Sequence, residues 1–81
     1  MTFPLRIFSI DREIFVGQAK SVALPTTTGQ IQILAEHAPL VSALKAGDVI
    51  IEGENDFHQS IPISGGVVEV AENEVTVLVN F

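Results

Sequence analysis

With 81 residues the chain has room for one domain, and a domain this small buries only about 60–65% of the surface its unfolded form exposes. It has no cysteine, which excludes disulfides, thiolate metal sites and cysteine nucleophiles, and its 47% apolar residues against 17% charged exclude a disordered chain. The net charge of −6, from ten acids and four bases, argues against nucleic acid and against adsorption on anionic lipid, and suits a partner with a basic surface.

Turn residues punctuate the chain at the spacing of an all-β protein. Strands are expected at Pro4–Ile10, Glu13–Leu24, Gln30–Leu34, Leu40–Lys45, Asp48–Glu52, Phe57–Ile63, Gly66–Ala71 and Glu74–Val79. The second is long enough to be broken or bulged at Gly17. Ile61 and Ile63 alternate with Ser60 and Pro62, and Val75, Val77 and Val79 alternate with Thr76 and Leu78, so each set takes its own face. Glu72-Asn73 and Asn55-Asp56 fit tight hairpin turns. Pro25 and Pro62 cannot donate to a ladder and belong at an edge, a bulge or a strand end. Ala38–Ala46 has room for at most one helical turn, which Pro39 and Val41 oppose. No apolar run approaches the ~18 residues of a transmembrane helix, and Met1 to Arg12 lacks the basic-then-apolar pattern of a signal peptide. The fold class that follows is all-β, a two-sheet antiparallel sandwich of about ten short strands in one domain spanning residues 1–81.

Catalytic and cofactor chemistry finds little support. His37 lies in a loop beside Pro39 and His58 in a strand, facing solvent, without the close spacing of a metal-ligand pair. Ser42, Ser60 and Ser64 lack a nucleophile-elbow setting. Gly65-Gly66 falls between strands and is not followed by Lys-Ser/Thr, so it does not read as a phosphate loop. No metal and no cofactor is expected, and what remains is a small surface that binds other proteins.

The run Leu24-Pro25-Thr26-Thr27-Thr28-Gly29-Gln30-Ile31-Gln32-Ile33-Leu34-Ala35-Glu36-His37-Ala38-Pro39-Leu40 is followed by Ser42-Ala43-Leu44-Lys45-Ala46-Gly47, Ser64-Gly65-Gly66, Val68-Glu69-Val70 and the final Glu74–Val79 strand. In order and spacing, from about Leu5 to Val79, these pieces resemble the epsilon-subunit family of F-type ATP synthases, the subunit called delta in mitochondria. Each piece has a structural meaning of its own: Gly29 supplies a positive φ in a turn, and Pro39 pushes Ala38 toward an extended conformation.

The resemblance implies a non-catalytic rotor subunit at the foot of the central stalk. It implies contact with the gamma subunit through Ser9, His37, Ser42 and Ser64, with Leu40 and Val41 contributing if exposed. It implies contact with the membrane c-ring through Thr27, Thr28, Gly29 and Gln30. The complex would sit at the cytoplasmic side of the bacterial inner membrane, with this chain peripheral and not inserted. An acid commonly follows the loop glycine in the family; Gln30 replaces it with a neutral group. Gly is common in the family where Gln32 and Glu36 stand here, so the loop before His37 is expected to be shaped differently. The chain ends at Phe81, which implies a form without the helical hairpin that inhibits ATP hydrolysis in longer members, and without ATP binding through it. Two rivals remain at this point: a generic β-sandwich adaptor, and a small metal-dependent or hydrolytic enzyme that would require His37 and His58 to converge.

Overall fold

A computed structural model describes residues 1–81. It contains nine strands: β1 (Phe3–Phe8), β2 (Glu13–Ala19), β3 (Ser21–Thr26), β4 (Gly29–Leu34), β5 (Leu40–Leu44), β6 (Gly47–Glu52), β7 (His58–Ile63), β8 (Gly65–Ala71) and β9 (Glu74–Asn80). The weak helical option at Ala38–Ala46 gives way to β5 and the turn after it. The long second strand breaks at Lys20 and not at Gly17. Gly17 stays extended and pairs with Leu5, whereas at Lys20 the chain exchanges its β1 partner for β4 and β6.

The strands form one hydrogen-bonded path, β2-β1-β9-β8-β5-β3-β6-β7, with β4 attached to β3. The path curls into two facing layers. Its seam is narrow: β3 meets β5 at a single register pair, Thr26 with Leu44, while its first half, Ser21 to Ala23, pairs with β6. Pro25 lies between these two pairings. Its carbonyl accepts from the Lys45 N–H at 2.8 Å, so its missing donor faces the gap where β3 leaves one neighbour for the next, and no ladder bond is lost. Pro62 sits in β7, the last strand of the path. Both prolines therefore stand where the sequence requires.

Every pairing is antiparallel except β1 with β9, which is parallel. This corrects the purely antiparallel expectation. Alternation fixes which face a side chain takes; it carries no information about the direction of a neighbour distant in the chain.

The core lies between the layers. Val75, Val77 and Val79 are buried while Leu78 is exposed, and Ile61 and Ile63 are buried while Ser60 and Pro62 are exposed. Phe3, Leu5 and Ile7 of β1 and Val22 and Leu24 of β3 complete its centre. Fully burying each such side chain is worth about 1.5–3 kcal/mol relative to exposure. Both predicted hairpin turns have positive φ at each central residue, 52° and 62° at Glu72 and Asn73 and 59° and 62° at Asn55 and Asp56, the signature of type I′ turns that match the strand twist.

Candidate functional site

The turn between β3 and β4 is built from three successive threonines and a glycine. Thr26 pairs with Gly29, leaving Thr27 and Thr28 as a two-residue loop. Neither has a positive φ; Gly29 supplies it, at 128°. A Cβ on Gly29 would meet nothing within 4 Å, so backbone conformation, not space, selects glycine here. Thr26 is 1% exposed. Its hydroxyl donates to the Gly29 carbonyl and accepts from the Thr28 N–H at 3.3 Å. With that proton used, the Thr28 hydroxyl donates across the 3.3 Å contact to Thr26 Oγ1. From outside, the Thr27 N–H donates to the Ala43 carbonyl at 3.2 Å.

A buried hydroxyl and the neighbouring strand thus hold an exposed tip in one shape. Thr27, Thr28 and Gln30 are exposed on it. The tip offers hydroxyl and carboxamide groups and no charge of its own. It suits a neutral polar contact and supplies no charge-assisted bond.

The other residues singled out by sequence do not gather into one patch. Ser9 is buried in the β1–β2 turn. Its N–H donates to the Arg12 carbonyl at 2.8 Å, and its hydroxyl lies 3.2 Å from Asp11 Oδ1 and 3.4 Å from the Arg12 carbonyl. That hydroxyl is spent on its own turn; the group displayed there is Ile10, 96% exposed. Ser64 is exposed between β7 and β8, its N–H donating to the Asn80 carbonyl at 2.7 Å. The register rows Thr26–Leu44, Leu44–Gly66 and Gly66–Val79, with β1 beside β9, put Ser9, Ser64 and the Thr27–Gln30 tip at the same end of the strands.

His37 is at the opposite end, in the β4–β5 loop. Its Nδ1 lies 2.7 Å from the Ala38 carbonyl; a carbonyl only accepts, so Nδ1 is the donor in this contact. The loop is fastened by the Glu36 N–H donating to Asn73 Oδ1 in the β8–β9 turn. Glu36 has φ 64°, a left-handed conformation that favours glycine. The loop therefore keeps a glycine-like shape with a non-glycine residue, at a cost of about 1–2 kcal/mol. Ser42 lies in mid-β5, half-buried, on the row of Leu40 and Leu44, with its hydroxyl 3.4 Å from the Ala43 carbonyl.

Sequence reasoning named Val41 but passed over the apolar positions that share its face of the β5-β8-β9 sheet. Val41 is 71% exposed, and Val67 and Leu78 are also exposed; Val67 and Leu78 stand opposite each other and Val67 opposite Ala43. The signal was present in the alternation of β8 and β9, whose outward positions are not all polar. No three His, Asp or Glu side chains come together as a metal-ligand group.

Fold and surface together define a small β-sandwich module with a braced polar tip at one end and an apolar sheet face beside it. Over residues 2–81 the sequence matches the family described as ATP synthase, delta/epsilon chain, β-sandwich domain. It is 44% identical over 81 residues to the ATP synthase epsilon chain of Nostoc punctiforme, covering 99% of this chain and 59% of that one. It is 44% identical over 80 residues to the ATP synthase epsilon chain of Gloeothece citriformis, covering 99% and 57%. The chain spans a little under three fifths of the length of these relatives. Among solved structures, a chain of the Euglena gracilis mitochondrial ATP synthase (OSCP, F1 and c-ring) superposes with a TM-score of 0.90 at 24% identity, over 96% of this chain and 50% of that one. A chain of the Tetrahymena thermophila mitochondrial ATP synthase central stalk and c-ring does so at 0.81 and 15% identity, over 96% and 63%. The chain belongs to the ATP synthase delta/epsilon family, of which it carries the β-sandwich domain.

Proposed function

We propose that this domain is a non-catalytic part of the rotor of an F-type ATP synthase, binding the gamma subunit and the c-ring together so that torque from ion flow reaches the catalytic head. The observation that carries the reading is the family match over residues 2–81 in a chain whose most firmly braced exposed feature is the Thr27–Gln30 tip. That tip contacts the polar loops of the ring. Gamma contacts the β5 side of the domain, with His37 at one end, Ser64 and Ser9 at the other, and Ser42 between them on the inward row of β5, behind the outward face that carries Val41. Exposed Val41 supplies apolar area there, since small hydroxyl side chains seldom dominate interface energy. The solved chains that superpose on it come from structures titled for the central stalk and c-ring or for F1 and the c-ring. The domain is peripheral to the membrane through the complex, on the cytoplasmic side of the bacterial inner membrane. These residues, all strand and turn, serve coupling and not helix-mediated inhibition.

The test is co-elution of the chain with its cognate gamma subunit. The wild type is expected to co-elute, and Val41→Asp, a change at an exposed position that leaves the fold intact, is expected to weaken the complex about tenfold or more. A chain that gives a folded β-sheet spectrum but elutes apart from gamma overturns the reading.

A further inference from the structure

Three strands of the curled sheet, β2, β4 and β7, have a strand partner on one side only. β2 begins the strand path and has a strand partner only on its β1 side. At Lys20 the backbone N–H turns away from β1 and donates to the Glu52 carbonyl at 2.7 Å. Backbone groups of a strand address its two sides alternately, so Gln18 and Val16 point their N–H and C=O outward, while Ala19 and Gly17 face β1. The Gln18 carbonyl indeed lies toward Gly53, 3.6 Å from where a Cβ on that glycine would sit.

Beside this edge runs a hollow of about 330 Å³, lined by Phe15, Val16, Gly17, Gln18, Gly53 and Phe57 among others. The Phe15 and Phe57 rings lie 5.9 Å apart with planes at 36°. A side chain at Gly53 would press on the Phe57 ring at 3.3 Å, so glycine keeps the hollow open. Val16 is 57% exposed over it. A second hollow of about 280 Å³, lined by Lys20, Glu52, Asp56 and His58, shares Gly53 and Phe57 with the first.

Proteins ordinarily protect sheet edges with proline, lysine or a covering segment. The far end of the path, β7, carries Pro62. β2 carries no proline or lysine between Glu13 and Ala19 and exposes a valine instead. The charged groups lining the two hollows are Glu52, Glu54 and Asp56 against Lys20, with Arg6 opposite Val16 on β1, in a chain of net charge −6. A second copy of the chain fits poorly. Two-fold pairing of the outward residues, centred on Val16, would set Arg12 opposite Lys20 of the second copy and bring two acidic chains together.

We propose that the open edge of β2 is a docking site for an extended, basic peptide segment of a partner protein. The segment adds to the sheet as a further strand through Val16 and Gln18, lays an apolar side chain on the Phe15–Phe57 pair, and sets its cations against Glu54 and Asp56. The proposal does not rest on the rotor reading, because its test uses this chain alone and the Val16–Gln18 stretch runs from mid-strand toward the end away from the Thr27–Gln30 tip.

The probes are short capped peptides of alternating lysine and valine with a central phenylalanine, the same peptide with glutamate for lysine, and the lysine peptide N-methylated at alternate backbone positions. The readout is amide chemical shift and hydrogen exchange on the whole labelled chain. The lysine peptide is expected to shift the Val16 and Gln18 amides and slow their exchange about tenfold or more, as a formed strand pair does. The N-methylated and glutamate peptides are expected not to. Val16→Lys, at an exposed position, is expected to abolish binding, and the Glu54→Lys/Asp56→Lys pair to weaken it about tenfold through lost charge complementarity. The proposal is overturned if the lysine peptide leaves Val16 and Gln18 unchanged, or if the glutamate or N-methylated peptide binds as well. It is equally overturned if the free chain sediments as a dimer with those amides already protected, in which case a second copy covers the edge.

Discussion

At one end of the sandwich the Thr27–Gln30 tip is held by a buried threonine hydroxyl, a glycine at the one positive-φ position and a hydrogen bond from β5. At the other end the His37 loop is tied to the rest of the domain by a single side-chain hydrogen bond, Asn73 to the Glu36 N–H, and pays for its shape with a left-handed glutamate. Both ends are exposed and polar, yet the first is fixed by groups inside the domain and the second by groups on its surface. A surface that has to present one fixed shape to a partner needs the first kind of support. The second kind tolerates residual strain and is where stability can still be gained.

Five substitutions break or sharpen this contrast. The largest effect is expected at Gly66, on the register row that runs from Thr26 through Leu44. Its φ is 151°, and an added Cβ would fall 2.1 Å from the Leu78 carbonyl oxygen. Gly66→Ala should cost about 3 kcal/mol or more, read from denaturant unfolding; a loss under about 1 kcal/mol would mean the backbone there is free to shift. Next comes Thr26→Val, which keeps the volume and removes the brace. It should cost about 1–2 kcal/mol and speed hydrogen exchange at Thr28 while leaving β8 and β9 protected; unchanged exchange at Thr28 would show that the tip does not depend on that hydroxyl.

At the other end one substitution reverses the sign. Glu36→Gly removes the left-handed strain, less the entropy that glycine loses on folding, for a gain of about 0.5–1 kcal/mol. Asn73→Ala loses both a favoured turn residue and the Glu36 contact, for a loss of about 1 kcal/mol. A loss on Glu36→Gly would contradict the strain account. Gln30→Glu is the smallest change in stability, within about 0.5 kcal/mol as for exposed sites generally. It should bind the ring at least as well as the wild type and with a steeper salt dependence, and equal affinity at every salt concentration would exclude this tip as a ring contact.

Much of this contrast was legible in the sequence. Gly29 after three threonines announced the tip, and Glu72-Asn73 and Asn55-Asp56 announced their turns, because positive φ restricts the residues that can stand there. The alternating valines of β9 announced the core for the same local reason. What escaped was non-local. The parallel partnership of β1 with β9, the break at Lys20 and the open edge of β2 depend on which strand lies beside which, and a period of two is silent on that. Ser9 shows the same limit at the level of a single site. Its place at the end of the first strand was readable, whereas the commitment of its hydroxyl to Asp11 and Arg12, with Ile10 displayed in its stead, needed the folded turn.

The absence of native cysteine allows the central claim to be tested by placing one thiol at each end. Thr28→Cys on the tip and Glu72→Cys in the β8–β9 turn would be cross-linked within the assembled ATP synthase by a short thiol-reactive reagent. A rotor domain that meets the membrane ring through Thr27–Gln30 predicts a product between the Thr28→Cys chain and a ring subunit and none from Glu72→Cys. Ring products from Glu72→Cys alone, or from both positions equally, would contradict it.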